Sequence, residues 1–166
     1  VRSRRQRQMC IRDRLKAVDE LKFTEPTPVQ AAAIPLALQG KDLRVIAQTG
    51  SGKTAAFVLP MLNRLLGNGS SKARVSVRAL ILLPTRELAQ QTLKEVERFA
   101  QYTFLKGGLI TGGEDFKVQA AMLRKIDIVI GTPGRLIEHA NAGNLLFDDV
   151  EAVSYTHLRA HETGRN

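Results

Sequence analysis

The alternation of short apolar runs with helical periodicities predicts an α/β fold with a doubly wound, mostly parallel sheet. Two observations carry that prediction. Runs rich in Val, Ile and Leu recur at residues 43–46, 79–83, 105–110, 126–130 and from 150, and a helical pattern follows each of the first four. A turn holding Gly50 and Gly52 joins the first run to its helix, and loops of Thr, Pro, Gly and Arg close the next three runs.

Taken in order, residues 15–21 have the spacing of a short amphipathic helix, with Phe23 at the edge of the turn behind it. Thr27 offers an N-cap and Pro28 a first helical position, for a helix that runs through Ala31, Ala32 and Ala33, bends at Pro35 and stops at Gly40. Leu43-Arg44-Val45-Ile46 suits a buried strand, and Ala55 to Leu66 a buried helix. Residues 67–72 read as a surface linker. After the strand at 79–83, a helix from Arg86 to Gln101 places Leu88, Thr92, Val96 and Phe99 on one face. The weaker strand at 105–110 holds Gly107 and Gly108, and the helix from Asp115 to Lys125 carries Phe116, Ala120 and Leu123 inward. A strand at 126–130 leads to a helix ending near Asn141, and a fifth strand starts at Val150.

A chain of 166 residues has room for one domain with a proper core, and nothing in it is apolar for long enough to form a membrane-spanning helix, so it reads as soluble. Its formal charge of +9 is unevenly placed. Residues 1–14 hold six arginines against Asp13, and residues 153–166 hold Arg159 and Arg165 against Glu162, which leaves the middle only mildly basic. Bulk charge is therefore weak evidence for a nucleic-acid partner. Cys10 is the only cysteine, which rules out an intramolecular disulfide and fits a reducing, cytoplasmic location.

The two ends read unlike the middle. Met9-Cys10-Ile11-Arg12-Asp13 can be encoded by ATG TGT ATA AGA GAC, whose reverse complement encodes Val153-Ser154-Tyr155-Thr156-His157. Opposite strands of one DNA segment can thus encode both stretches, and that segment resembles the transposase end sequence used in preparing sequencing libraries. The expected division is an adapter-like arm at 1–14, a partial domain at 15–152, incomplete at its C-terminal side, and an adapter-like tail at 153–166. A sheet stopped at its fifth strand would leave an open edge and exposed apolar surface.

Ala47-Gln48-Thr49-Gly50-Ser51-Gly52-Lys53-Thr54 lies between the first predicted strand and its helix, where an oxyanion is readily bound. Without Cβ atoms, Gly50 and Gly52 let the backbone curl with its N–H groups inward, and the helix adds roughly half a positive charge at its N-terminus. Lys53 would reach the β- and γ-phosphates of a nucleoside triphosphate, and the Thr54 hydroxyl would ligate its magnesium ion. An ordinary glycine turn is the plainer alternative. Upstream, the Gln30 amide can donate and accept at once, which suits the edge of adenine, and Phe23 offers a stacking face, although capping alone could explain that segment.

Three loops, Pro84-Thr85-Arg86-Glu87, Thr111-Gly112-Gly113 and Thr132-Pro133-Gly134-Arg135, each follow the C-terminal end of a predicted strand. Ligands of open parallel sheets bind at that edge. Hydroxyls, glycine N–H groups, helix N-termini and arginines are the groups that hold a phosphodiester backbone. Helix capping by Thr85 and Thr132, with solvated arginines, accounts for any one loop; three loops beside a nucleotide turn favour the backbone-binding reading.

Together these residues resemble the first RecA-like domain of the DEAD-box ATP-dependent RNA helicases, a P-loop NTPase fold. Phe23 with Pro26-Thr27-Pro28-Val29-Gln30 resembles the Q motif, residues 47–54 resemble motif I, in which alanine at the first position is usual, and Pro84-Thr85-Arg86-Glu87-Leu88-Ala89 resembles motif Ia. Gly112-Gly113 resembles the glycine doublet and Thr132-Pro133-Gly134-Arg135 motif Ib. The resemblance implies ATP and Mg2+ as cofactors, with Phe23 stacked on adenine, Gln30 reading its edge, and Thr49, Gly50, Ser51, Gly52, Lys53 and Thr54 on the phosphates and metal. It also implies that Pro84, Thr85, Arg86, Glu87, Gly112, Gly113, Thr132, Pro133, Gly134 and Arg135 hold RNA by its backbone, and that a second RecA-like domain closes on both ligands to part short duplexes.

Lys22 stands where that family usually has glycine, and after Val150-Glu151-Ala152-Val153 the chain reads Ser154-Tyr155-Thr156-His157 in place of the Asp-Glu-Ala-Asp of motif II. The expectation is thus a fragment of an RNA helicase that is itself inactive. The alternatives are a non-catalytic RNA- or nucleotide-binding module and a DNA-directed helicase.

Overall fold

A computed structural model of the protein describes residues 19, 24–48, 50–68 and 76–155. The helix expected at 15–21, apart from Asp19, lies outside those residues, as do Phe23, Thr49 and most of the predicted linker.

Helix α1, Pro28–Leu38, starts at Thr27, whose hydroxyl accepts from the Gln30 N–H while the Gln30 side chain accepts from the Thr27 N–H. This capping box satisfies donors that a helix start otherwise leaves open. Pro35 lies inside α1, and Gly40 follows its end with φ at 78°. Helix α2, Lys53–Gly67, is entered through Gly52. The chain then alternates: β1, Ala79–Leu82; α3, Arg86–Ala100; β2, Gly107–Ile110; α4, Phe116–Leu123; β3, Ile128–Gly131; α5, Pro133–Asn141; β4, Ala152–Tyr155.

The strands form one sheet in the order β2-β3-β1-β4, with every pairing parallel. Successive strand residues point to opposite faces, so β1, β2 and β3 each feed two cores. Ala79, Ile81, Ile128 and Ile130 join α2 and α3 in one cluster, with Val58, Leu62, Leu65, Val96 and Phe99. Leu80, Ile110 and Val129 join Leu123, Leu136 and Leu145 in the other. Helices thus cover both faces, as the doubly wound reading required.

One predicted strand does not form. Residues 41–48 carry no strand, and Leu43, Val45 and Ile46 are exposed, Ile46 by 85%. Strand propensity records how well a side chain fits a pleated, half-buried surface, and this run pairs with none of the four strands. By contrast, Val153, Ser154 and Tyr155, expected to lie beyond the domain, continue β4 and pair with Leu80, Ile81 and Leu82. Ladder bonds are made by the backbone, so a parallel edge accepts these side chains, with Val153 and Tyr155 left exposed.

At the N-terminal ends of the strands, buried Arg78 donates to the Leu65 carbonyl at 2.8 Å and pairs with Glu151 at 2.7 Å, and Asn68 donates to the second Glu151 oxygen. The end of α2 is therefore pinned where β1 and β4 begin.

Close approach sets the sheet's tolerances. A Cβ on Gly131 would lie 2.3 Å from the Ile110 carbonyl oxygen, which belongs to the sheet backbone and cannot yield. On Gly108 it would meet the Ile126 methyl at 2.8 Å and the Met122 sulfur at 2.9 Å, both on flexible side chains. Gly131→Ala is expected to destabilise the fold by at least about 1–3 kcal/mol and Gly108→Ala by less, as read from urea denaturation midpoints.

Candidate nucleotide and nucleic-acid site

Gly50 and Gly52 both adopt φ of 80°, a left-handed conformation that residues with a Cβ rarely hold, so the turn depends on glycine at both positions. Gly52 is constrained twice: a Cβ there would lie 2.4 Å from Nε2 of Gln30, which donates to the Gly52 carbonyl at 3.2 Å. Buried Gln30 thus couples the cap of α1 to the glycine turn. Its Nε2 and Oε1 each keep one further hydrogen-bonding position.

Across the same turn, Lys53 donates from Nζ to the Ala47 carbonyl at 3.3 Å, and the Ser51 hydroxyl is buried without a hydrogen-bond partner. Half-buried Thr54 follows Lys53 in the first turn of α2, next to Ala55 and Ala56 in the core. The N-terminus of α2 is open to an anion, with no acidic residue in its first turn. Among the described residues no group of three His, Cys, Asp or Glu side chains could hold a metal ion, and Thr54 is the predicted ligand that belongs to the turn.

The pinned end of α2 fixes where this turn lies. An α-helix of 15 residues spans roughly 22 Å, more than a strand of four residues, so α2 crosses the sheet from its anchor at the strand starts. Lys53 therefore stands toward the edge where the strands end. That edge also carries the three predicted loops, because β1, β2 and β3 are parallel and each loop follows one of them.

The loops differ in how their residues are used. Thr85 caps α3 by accepting from the Leu88 N–H, and exposed Glu87 sits in that helix's first turn, where a carboxylate suits the dipole. Thr132 precedes α5 without making a side-chain cap bond, with Pro133 at its first turn. A Cβ on Gly112 or Gly134 would meet open space, whereas one on Gly113, at φ of 86°, would lie 3.2 Å from Nη1 of Arg86. Pro84, Arg86, Glu87, Gly112, Gly113, Pro133 and Gly134 are exposed.

Side chains that sequence reasoning did not single out tie the loops together. Glu114 pairs through its carboxylate with Arg86 at 2.6 Å and accepts from Nη1 of Arg135 through its carbonyl at 2.8 Å. Gln119 lies fully buried on α4, donating to the Thr111 carbonyl at 2.8 Å and accepting from Arg135 at 3.0 Å. Its oxygen also lies 2.9 Å from Nε2 of His139, which has no solvent exposure and stacks on Phe116 at 4.1 Å. A buried polar side chain on an inward helix face was the available signal, since Gln119 falls between Phe116 and Leu123 in the pattern.

The donors in this network fix the state of His139. A backbone carbonyl only accepts, so the Gln119 nitrogen faces Thr111 and its oxygen faces Arg135 and His139. His139 then donates through Nε2, and its Nδ1 is left to accept from the Asn144 amide at 3.2 Å. This is the neutral ring. Burial and the nearby Arg135 charge both lower its pKa from 6.5, and Glu138 only partly opposes them. Once unfolded, His139 takes up a proton as the pH falls through 6.5, while the folded form resists it until lower pH, so acid favours unfolding. Replacing His139 with Phe should lower stability at neutral pH by about 1–3 kcal/mol, because Gln119 and Asn144 lose a buried partner. The same variant should lose less stability than the parent chain between pH of about 7.5 and 5.5, measured by urea unfolding at each pH.

The model of the DEAD/DEAH box helicase family matches residues 27–156. A probable ATP-dependent RNA helicase, ddx27 of Dictyostelium discoideum, is 54% identical over 141 residues, which is 84% of this chain and 18% of that protein. The ATP-dependent RNA helicase DDX54 of Mus musculus is 45% identical over 84% of this chain and 16% of its own. The chain thus spans less than a quarter of the length of these relatives. Among solved structures, the RNA helicase Prp28 of Chaetomium thermophilum bound to ADP superposes with a TM-score of 0.79 at 41% identity, covering 88% of this chain and 36% of that one. A hypothetical ATP-dependent RNA helicase from Sulfolobus tokodaii gives 0.77 at 36% identity, over 87% and 40% of the two chains. With its glycine turn, strand-end loops and parallel sheet all within the matched span, the chain belongs to the DEAD/DEAH box helicase family.

Proposed function

We propose that this chain is the ATP-binding portion of an ATP-dependent RNA helicase, and that it takes ATP at the Gly50–Thr54 turn and the RNA backbone at the three strand-end loops. The observation that carries this reading is the anchorage of α2: its C-terminal end is held at the strand starts, so its length directs the glycine turn at its head toward the side of the sheet from which the loops after β1, β2 and β3 emerge.

The residues of the turn fit a polyphosphate. Two left-handed glycines, an unpartnered buried Ser51 hydroxyl and the N-terminus of α2 supply donors without a competing carboxylate. Lys53, now on the Ala47 carbonyl, would exchange that neutral partner for the β- and γ-phosphates. Thr54 would ligate the magnesium ion that accompanies ATP, which supplies charge neutralisation at the phosphates. Gln30 would hold the turn to α1 with the bond it already makes and read adenine with its remaining capacity, beside Phe23. Thr85, Arg86, Gly112, Gly113, Thr132, Gly134 and Arg135 would contact phosphates and riboses, with Pro84, Glu87 and Pro133 shaping the loop backbones. Such contacts carry little base information, so RNA of any sequence would serve.

Hydrolysis is a separate matter. Where the family pattern continues into Asp-Glu-Ala-Asp, β4 carries Ser154 and Tyr155, which cannot position a metal and an attacking water as carboxylates do. The purified chain is therefore proposed to bind ATP and RNA without turning ATP over, and duplex unwinding is assigned to a longer protein with a second RecA-like domain. We place that protein in the cytoplasm or nucleus; no helix among the described residues is long and apolar enough to cross a membrane.

Titration with a fluorescent ATP analogue tests the nucleotide half: Lys53→Ala should weaken binding by at least about tenfold, as expected for losing a charged hydrogen-bonding partner. Equal affinity of the two proteins would overturn the assignment of the turn. Steady RNA-stimulated ATP hydrolysis by the 166-residue chain would contradict the catalytic part.

A further inference from the structure

We infer that Gln119 is a positioning residue for RNA binding: its buried amide, seated by His139, aims the Arg135 guanidinium and locks the Gly112-Gly113 turn to the start of α5. The inference rests on the proposed RNA grip of these loops.

Three nitrogens on Arg135 can donate, and two are already engaged. Nη1 donates to the Gln119 oxygen at 3.0 Å and to the Glu114 carbonyl at 2.8 Å, while Nε pairs with Glu138 at 2.9 Å. Nη2 has no hydrogen-bond partner among the described residues, and the side chain is 16% exposed. The guanidinium therefore has one free end to offer a phosphate, and the bonds on its other nitrogens decide where that end lies. The Phe116 ring, 5.7 Å from the Arg135 carbon, gives it a flat support.

Glu138 is 60% exposed and its pair with Arg135 is a surface contact between adjacent turns of one helix, which is worth little. Gln119 is buried and cannot rotate away without stranding three partners: the Thr111 carbonyl, Arg135 and the His139 ring. The ring itself is held by Asn144 and by stacking on Phe116. Bonds of Gln119 thus set the register between the turn after β2 and the loop after β3, across which successive phosphates would be held.

The test uses the 166-residue chain and a labelled single-stranded oligouridylate, with affinity followed against salt. Arg135→Gln should weaken binding about tenfold and reduce the slope of log affinity on log salt by about 0.7, as for one lost phosphate contact on a single strand. Gln119→Met should reproduce both changes, and the double variant should be no weaker than either alone. Gln119→Glu keeps an oxygen toward Arg135 and His139 but sets its second oxygen against the Thr111 carbonyl and a negative charge against the guanidinium, so it should also reduce the salt slope. If Arg135→Gln binds like the parent chain, the RNA grip fails at this loop. If Arg135→Gln weakens binding while Gln119→Met does not, the grip stands and the positioning role is overturned. A parental salt slope in Gln119→Glu would also overturn it, a criterion that remains if Gln119→Met does not fold. Loss of ATP-analogue affinity together with RNA affinity would mark Gln119 as purely structural.

Discussion

Parallel pairing constrains everything else in this molecule. Parallel neighbours cannot be joined by a tight turn, so β1, β2 and β3 are each followed by a helix that carries the chain back before the next strand begins. The loops that leave β1, β2 and β3 therefore emerge on one edge, whatever their own sequences. Shared placement is a consequence of topology, and the chemistry of the edge comes from the threonines, glycines and arginines placed there. The Arg78–Leu65 and Asn68–Glu151 contacts extend the rule to α2, because anchoring its C-terminal end at the strand starts sends its N-terminal end toward the loops.

The two halves of the site are held by different means. The glycine turn is coupled to α1 through one buried side chain, Gln30, which closes a capping box and also grips the Gly52 carbonyl. Apolar packing supports it from behind, with Ala55, Val58 and Leu62 in the core beneath the first turns of α2. The loop half rests on polar contacts. Glu114 links Arg86 to Arg135, and Gln119 links Arg135 to Thr111 and His139. A buried network of this kind is specific because each member has a fixed donor or acceptor role, and an altered member leaves its neighbours unsatisfied at low dielectric. The Thr111 hydroxyl, buried without a hydrogen-bond partner, is a local exception.

Charge is treated oppositely at the two ends of the sheet. At the strand starts, Arg78 is buried against Glu151 and a backbone carbonyl, an arrangement that removes its charge from solvent. At the strand ends, Arg86 stays exposed on an exposed glutamate, a pair that water and salt screen and that a phosphate can displace at little cost. Equivalent residue types thus hold the fold at one edge and leave a site for an anionic backbone at the other.

Much of this was legible in the residues alone. Periodicity identified α2, α3 and the strands β1, β2 and β3, because a buried strand and an amphipathic helix leave marks in a few consecutive side chains. Thr27, Thr85 and the glycines at 50 and 52 were readable for the same local reason. Pairing and long-range contact were not. Leu43 to Ile46 has a strand's composition without a strand's partner, and the strand expected from Val150 continues through Ser154 and Tyr155, which read as part of the tail. Gln119, His139 and Glu114 acquire meaning only once distant elements lie side by side, since the bonds Gln119 to His139, Glu114 to Arg135 and Glu114 to Arg86 join residues 20, 21 and 28 positions apart. Sequence by itself determined the elements and the phosphate-binding chemistry, which are written in neighbouring residues; tertiary structure decided which run became a strand and which side chains aim the loops, because those depend on partners distant along the chain.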